Sequence, residues 1–279
     1  MRILSWNIQY GKSVSEGSDF IRTLDYIKSL GDFDIICLQE VARHMSDYCT
    51  QDQPDQYQLA QGYFSDYRAL WGSGFSWPSV TANASDRQEF GNLTLIKGAL
   101  LDFKIHQLPQ PAVTKKWQMH RVAIEACVNS TIGSLSIINT HLAYHDSNEA
   151  QVQLEHLQTI EGYRLSHLRH PKAAGPGCFQ EGYLASARIL CGDFNFDTNG
   201  SHYQYQIESG WIDTWKQVEP DQPQPATCGI FDRVQWPQGG HCRDYFWLSS
   251  ELAGHPIKAH VDSSTDLSDH QPIMLEIKF

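Results

Sequence analysis

A chain of 279 residues with 41% hydrophobic and 19% charged residues has the composition of a folded domain with a sizeable core, and its charges do not run in blocks, which argues against disorder. A formal net charge of −11 excludes a surface that grips a long polyanion through many phosphates, because that mode needs clustered Lys and Arg, and Lys115-Lys116 is the one short basic pair. No apolar run approaches the roughly 20 residues of a membrane span, and the opening stretch through Ile8 lacks the basic leader and small-residue cleavage site of a secretory signal, so the sequence predicts a cytoplasmic location.

Residues 2–8 form a short apolar run followed by Gly11, the pattern of a buried strand. Phe20, Leu24, Ile27 and Leu30 then recur at helical steps, with Ser18 or Asp19 as N-cap and Gly31 as the stop. A second strand at 34–38 runs into Gln39-Glu40. Residues 92–97, 100–108, 119–128 and 135–141 are rich in Ile, Leu and Val and are separated by Gly or Pro, so they read as strands of a mostly antiparallel sheet. From 148 to 168 the positions Ala150, Leu154, Leu157, Ile160 and Tyr163 step by three or four, which predicts an amphipathic helix capped by Ser147. Strands resume at 188–191, 245–249 and 272–277, while 72–88, 170–182 and 219–240 read as long loops. No repeat or linker divides the chain, so one domain over 1–279 is expected, an α/β sandwich of two packed sheets with helices outside. The seven cysteines are odd in number and lack a C-x-x-C pair, which points to reduced thiols rather than a disulfide framework or a zinc site. Cys37 and Cys191 sit in apolar strands as small hydrophobes.

Polar residues gather where these strands begin or end. Asn7, Gln39-Glu40, Asn139-Thr140-His141 and Gly192-Asp193-Phe194-Asn195 follow strands; Arg243-Asp244 and Ser268-Asp269-His270 precede them. Each junction alone has an ordinary explanation, since Asn, Asp and Gly favour turns and a single terminal Glu is usually solvated. Six such junctions can converge on one cleft.

In this order, Trp6-Asn7, Gln39-Glu40, Thr140-His141-Leu142, Gly192-Asp193-Phe194-Asn195, Asp244-Tyr245 and Ser268-Asp269-His270-Gln271-Pro272 resemble the signature of the endonuclease/exonuclease/phosphatase superfamily. The resemblance spans nearly the whole chain and implies a four-layer α/β sandwich, two packed mixed β-sheets flanked by helices. It implies a phosphoric ester hydrolase in which water attacks phosphorus while a hard cation and fixed donors stabilise the charge that develops. Glu40 would bind the metal, Mg²⁺ by default and Mn²⁺ as substitute, with Asn7 and Asp269 adding direct or water-mediated contacts. Asp193 would hold and deprotonate the water, Asn195 would orient it, and His141 would bind phosphate or assist the leaving oxygen. His270 would donate to a non-bridging oxygen, its charge or tautomer fixed by Asp244. Arg121, on a strand shortly before His141, would either meet the phosphate or make an ordinary surface pairing, the second being the expectation.

Gln9 and His141 stand where exonuclease III-like repair enzymes carry an acidic residue and a Tyr-centred motif. That draws the chain toward the deoxyribonuclease, neutral sphingomyelinase and inositol phosphatase side. The expected substrate is a phosphate ester, mono- or diester, on a small molecule or a nucleic-acid end, with no protein partner indicated. The alternatives are a Mg-dependent endo- or exonuclease acting on DNA or RNA, and a catalytically dead binding module. The latter predicts erosion at the signature positions, and none is eroded. Phe75, Trp77, Trp117 and Trp236 are expected to pack rather than stack on substrate, and 166–187 is either a cover for the cleft or a neutral insertion.

Overall fold

A computed structural model describes residues 1–78, 87–171, 173–180 and 182–279. The chain order is β1 (Arg2–Asn7), α1 (Phe20–Ser29), β2 (Ile35–Arg43), α2 (Gln56–Tyr63), β3 (Tyr67–Pro78), β4 (Arg87–Lys97), β5 (Leu100–Gln107), β6 (Val122–Ser130) and β7 (Gly133–His141). It continues through α3 (Ser147–Arg169), β8 (Ala187–Asp193), α4 (Ser201–Glu208), β9 (Ile212–Asp213), α5 (Thr214–Val218), β10 (Asp244–Leu248), β11 (Ile257–Val261) and β12 (Ile273–Ile277).

Among the described residues the strands form two large six-stranded sheets, β11-β12-β1-β2-β4-β3 and β9-β10-β8-β7-β6-β5. Both are mixed. β1 runs parallel to β2 and antiparallel to β12, and β8 runs parallel to β7 and antiparallel to β10. The central strands are apolar on both faces because each sheet is covered twice. Ile3, Cys37, Ile137 and Cys191 fill the space between the sheets. Leu4, Trp6 and Ile36 face Phe20, Leu24 and Ile27 of α1 on one outer side, and Ile138 and Leu190 face Leu154 and Leu157 of α3 on the other. The result is the α/β/β/α layering that the sequence predicts.

Local signals hold in part. Asp19 caps α1 by accepting from Arg22 N at 3.3 Å. The cap of α3 is Asp146, which accepts from Glu149 N at 2.9 Å, and Ser147 is already helical. The third strand expected at 119–128 starts at Val122. The loop expected at 72–88 is a β-hairpin up to Pro78 and from Arg87 onward, with 79–86 outside the described residues. Within this pairing a Cβ on Gly91 would stand 1.9 Å from the Gly72 carbonyl oxygen, so glycine there permits close backbone approach. Among the described residues the other two long loops carry no helix or strand beyond the single 3₁₀ turn Gly177–Phe179.

All seven cysteines are free. Trp236 is buried as expected, but Trp77 and Trp117 are 63% and 84% exposed rather than packed. No helix among the described residues is long and apolar enough to cross a membrane. One polar device ties the sheets together beneath their common rim. Gln39 Nε2 donates to Asn139 Oδ1 at 2.8 Å, and Asn139 Nδ2 donates back to the Leu38 and Leu93 carbonyls at 3.2 and 3.1 Å. These buried amides fix the first sheet against the second where the functional residues stand.

Candidate active site

Parallel pairing puts the carboxyl ends of β1 and β2 together, and antiparallel β12 begins beside them. The second sheet does the same with β7, β8 and the start of β10: His141 and Asp244 both lie opposite Asp193 in register. Two backbone irregularities aim side chains into the cleft between these rims. On β2 the pairing with β4 shifts between Leu38 and Val41, and Glu40 sits in the bulge with φ of 58°. On β8, Gly192 has φ of 137° and a Cβ there would lie 1.8 Å from the Thr140 carbonyl oxygen, so only glycine lets Asp193 arrive beside His141.

Asp193 is the centre of the cluster and is 1% exposed. Its Oδ2 accepts from Asn7 Nδ2 at 2.9 Å and meets His141 Nε2 at 3.2 Å, while Oδ1 accepts from the Asn195 backbone N at 2.9 Å. Asn7 Nδ2 also reaches Glu40 Oε1 at 3.2 Å, and its Oδ1 accepts from Gln9 N at 3.1 Å. Arg121 Nη1 donates to His141 Nδ1 at 2.9 Å. Because guanidinium has no acceptor, His141 must carry its proton on Nε2, facing Asp193. His270 Nδ1 pairs with Asp244 Oδ2 at 2.8 Å, and its Nε2 stands 3.6 Å from Asp193 Oδ2. Thr227 Oγ1 donates to that same Asp244 oxygen at 2.6 Å. Asp269 Oδ2 accepts from Gln235 Nε2 at 2.9 Å and Trp236 Nε1 at 3.1 Å.

Burial and fixed neighbours separate the protonation states. Burial pulls His141 down to about 4, with Arg121 adding to the shift, so this imidazole is neutral. Burial also disfavours the imidazolium of His270, yet Asp244, Asp193 and Asp269 together hold it well above the ordinary histidine value. Asp193 is held well below the usual carboxylate range: burial opposes its charge, and His270 and His141 overcome that. Glu40 moves the other way, pushed up to about 7 by burial and then by the charge of Asp269. Two histidines of different charge thus face one ionised aspartate.

The model of the endonuclease/exonuclease/phosphatase family matches residues 4–270. The chain belongs to that family. Its members hydrolyse phosphate esters. No curated protein sequence matches the chain. Among solved structures, it is similar to the family protein of Beutenbergia cavernae DSM 12333, with TM-score 0.70 and 18% identity over 100% of this chain and 71% of that one. A functionally unknown conserved protein of Enterococcus faecalis V583 superposes with TM-score 0.68 at 16% identity, covering 100% of this chain and 99% of the other. The mannosyl-6-phosphatase of Bacteroides thetaiotaomicron VPI-5482 gives TM-score 0.64 at 14% identity, with both chains covered 100%. At these identities the likeness shows the family's fold alone.

The structure brings together all eight residues that the sequence singles out. Glu40, His141, Asp193, Asn195, Asp269 and His270 line one cavity of ≈ 330 Å³; Asn7 and Asp244 stand behind them as partners of Asp193 and His270. Arg121 corrects the sequence reading. It is 8% exposed and lines the cavity instead of pairing on the surface. Gln235, which holds Asp269, and Thr227, which holds Asp244, escaped notice, as did the bond from Trp236 to Asp269, because they sit in the loop at 219–240, where spacing carries no pattern.

Among the described residues, two groups of side chains could hold a cation. Asp193, Asp244 and His270 offer ligand atoms within 4.8 Å of one another, but the Asp244 and His270 atoms are already committed to each other. Glu40 and Asp269 are the better fit for the metal on which the family generally depends. They are two carboxylates facing one cavity, and the rise in the Glu40 value comes first from its burial and then from the charge of Asp269.

Proposed function

We propose that residues 1–279 act as one domain and as a metal-dependent phosphoesterase, cleaving phosphate mono- or diesters by attack of water on phosphorus. The observation that carries this reading is the Asp193 carboxylate, buried and ionised between a neutral His141 and a cationic His270, at the wall of a cavity that also exposes Glu40 and Asp269. Glu40 and Asp269 would hold Mg²⁺ or Mn²⁺, with Asn7 contributing through water because its own oxygen is taken by Gln9 N. Such an ion supplies the positive charge that polarises the phosphoryl oxygens and lowers the pKa of bound water.

The protein's own groups then divide the work. Asp193 is a weak Brønsted base at its depressed value, so its main effect is to fix the attacking water as an acceptor of known direction and to receive its proton as the bond forms. Asn7, His141 and the Asn195 backbone pin that carboxylate at both oxygens. His270, charged and held by Asp244, donates from Nε2 to a non-bridging oxygen. Arg121 supplies positive charge on the opposite side of the phosphate, and the neutral His141 holds Asp193 through its Nε2 proton. Asn195 lends its side chain to orient water or phosphate.

Arg121 is the one Lys or Arg among the residues lining this cavity. Together with the net charge of −11, this favours a small or single-ended ester over internal positions in duplex DNA. The Bacteroides thetaiotaomicron neighbour, a mannosyl-6-phosphatase, agrees with that preference. The test is a hydrolysis screen with Mg²⁺, Mn²⁺ and EDTA across p-nitrophenyl phosphate, bis-p-nitrophenyl phosphate, sugar and inositol phosphates, sphingomyelin and single- and double-stranded nucleic acids. Metal-dependent turnover of small esters is expected. Undiminished turnover in EDTA would overturn the metal reading, and efficient plasmid nicking with steep salt dependence would promote the nuclease.

A further inference from the structure

Beside the catalytic cavity lies a second, wider lobe of ≈ 670 Å³. Tyr144 and Asn195 line both spaces, so the lobe opens directly off the place where Asp193 and His141 meet. Its walls come from the turn after β8, the start of α3 and the end of the loop at 219–240. Asp197, Asn199, His202 and His241 lie outside the six junctions that mark the family in the sequence, and Arg243 is the lead-in residue of one of them.

The lining is unlike an ordinary small-molecule pocket, which is mostly apolar with a few polar groups. Here the wall is built mainly of Asp197, Asn199, His202, His241 and Arg243, with polar backbone between them. Asp197 and Arg243 balance each other in charge. Their contact is long, 3.4 Å from Arg243 Nη2 to Asp197 Oδ2, and His241 Nδ1 is 3.9 Å from the other oxygen. Neither contact saturates the carboxylate, whose two oxygens offer about four acceptor sites. Arg243 is itself held in place, donating from Nη1 to the Asn195 carbonyl at 3.0 Å and lying 6.0 Å over the Trp236 ring.

A neutral wall dense in paired donors and acceptors is suited to hydroxyl groups. It has no cationic surplus for a second phosphate; Phe196 is 3% exposed and turned into the core, and the exposed ring is Tyr144, which stands at the mouth shared with the catalytic cavity, edge-on to His145 and Trp236. We propose that this lobe seats a polyhydroxylated organic group, a sugar or cyclic polyol, as the alcohol part of the phosphate ester. Asp197 accepts from two neighbouring hydroxyls, and Arg243, Asn199 and His241 meet the remaining oxygens. The proposal rests on the phosphoesterase reading for its substrate and on the lobe alone for its chemistry.

Two measurements separate those layers. The first is kcat/KM for a hexose 6-phosphate, a nucleoside 5′-monophosphate and p-nitrophenyl phosphate, on wild type and Asp197→Ala. Wild type should prefer the hexose phosphate, and Asp197→Ala should shrink its advantage over p-nitrophenyl phosphate by about tenfold or more, chiefly through KM, the scale of a lost hydrogen bond to a charged group. Asp197→Asn, which keeps one acceptor, should recover part of it. The second is calorimetric binding of hexose 6-phosphate in EDTA, where Asp197→Ala should weaken affinity by a similar factor. Asp197-dependent binding with no hydrolysis of any ester supports the lobe and removes the phosphoesterase reading. Hydrolysis of p-nitrophenyl phosphate with no hexose advantage, a preference for the nucleoside phosphate, or equal losses on all substrates overturns the lobe and leaves the phosphoesterase reading standing.

Discussion

Replacing Asp244 by Asn keeps the size of a fully buried side chain and removes only its charge. His270 Nδ1 lies 2.8 Å from the carboxylate oxygen that also accepts from Thr227. A hydrogen bond to a charged partner contributes about 1.5–3 kcal/mol and a neutral one about 0.5–1.5, so weaker support of the imidazolium alone costs about 1–2 kcal/mol. If His270 then fails to present a charged donor, the loss approaches that of a missing oxyanion donor, about 3–4 kcal/mol. The expected fall in kcat therefore lies between about 10- and 10³-fold, with KM little changed. Steady-state kinetics at saturating metal measure it, and a thermal melt confirms that the fold survives. The cycle with His270→Ala decides the mechanism, because Asp244 acts only through that ring: the double variant should be no worse than His270→Ala alone within about threefold. Losses that multiply, or a kcat within threefold of wild type in a folded Asp244→Asn, would refute the linkage.

Glu40→Gln should weaken Mg²⁺ binding more than it lowers kcat at saturating metal, since it removes charge but keeps shape and one acceptor oxygen; equal affinity in a Mg²⁺ titration takes Glu40 off the ligand list. Asp193→Ala should lower kcat by at least ~10²-fold on every ester while the melt stays cooperative, and a loss of folding instead would assign the residue to structure. Away from the site, Glu125 is held near 2 against its burial by His106 and Arg188. Its folded value is depressed from 4.5, so its stabilisation of about 3 kcal/mol is full above that pH and fades as pH falls toward 2. Glu125→Gln should therefore be destabilised by 2–3 kcal/mol, roughly, at neutral pH and match wild type in acid, as urea titrations at several pH values would report. Gly192→Ala should sharply reduce the melting temperature or the soluble yield, because its Cβ would overlap the Thr140 carbonyl oxygen at 1.8 Å; an unchanged melt would contradict the strand geometry.

The architecture was legible wherever burial imposes a simple period. The central strands β1, β2, β7 and β8 lie between two apolar layers and read as continuous hydrophobic runs, and α1 and α3 show their buried stripes at three- and four-residue steps. The misses share a cause. β3 is an edge strand and β11 another, each half exposed and rich in polar or small residues, so their periodicity is diluted. α2 and α4 have few apolar positions, with Ala60 and Gln206 among the buried ones. Gly72 and Gly91 answer to tertiary demands that no window of sequence contains, the Ile124 side chain packed at 2.7 Å from where a Gly72 Cβ would stand and the Gly72 carbonyl at 1.9 Å from a Gly91 Cβ.

The site divides along the same line. Its eight signature residues lie at strand ends, where the sheet fixes their order and the chain itself announces the junction by a change from apolar to polar. The groups that tune them come from elsewhere. Arg121 precedes β6 in a stretch that reads as strand, so nothing local distinguishes it from a surface arginine; its role follows only when β6 and β7 pair and bring its guanidinium within 2.9 Å of His141. Thr227, Gln235 and Trp236 lie on a loop whose path is set by what it covers, and their bonds to Asp244 and Asp269 span tens of residues. Strand ends thus supply reacting groups at a fixed spacing, while loops and lead-in segments supply the charge state. It follows that enzymes sharing this frame can diverge in substrate through residues such as Asp197 and Asn199 without disturbing the strand-end set, because those side chains hang from the turn after β8, which the sheet register does not constrain.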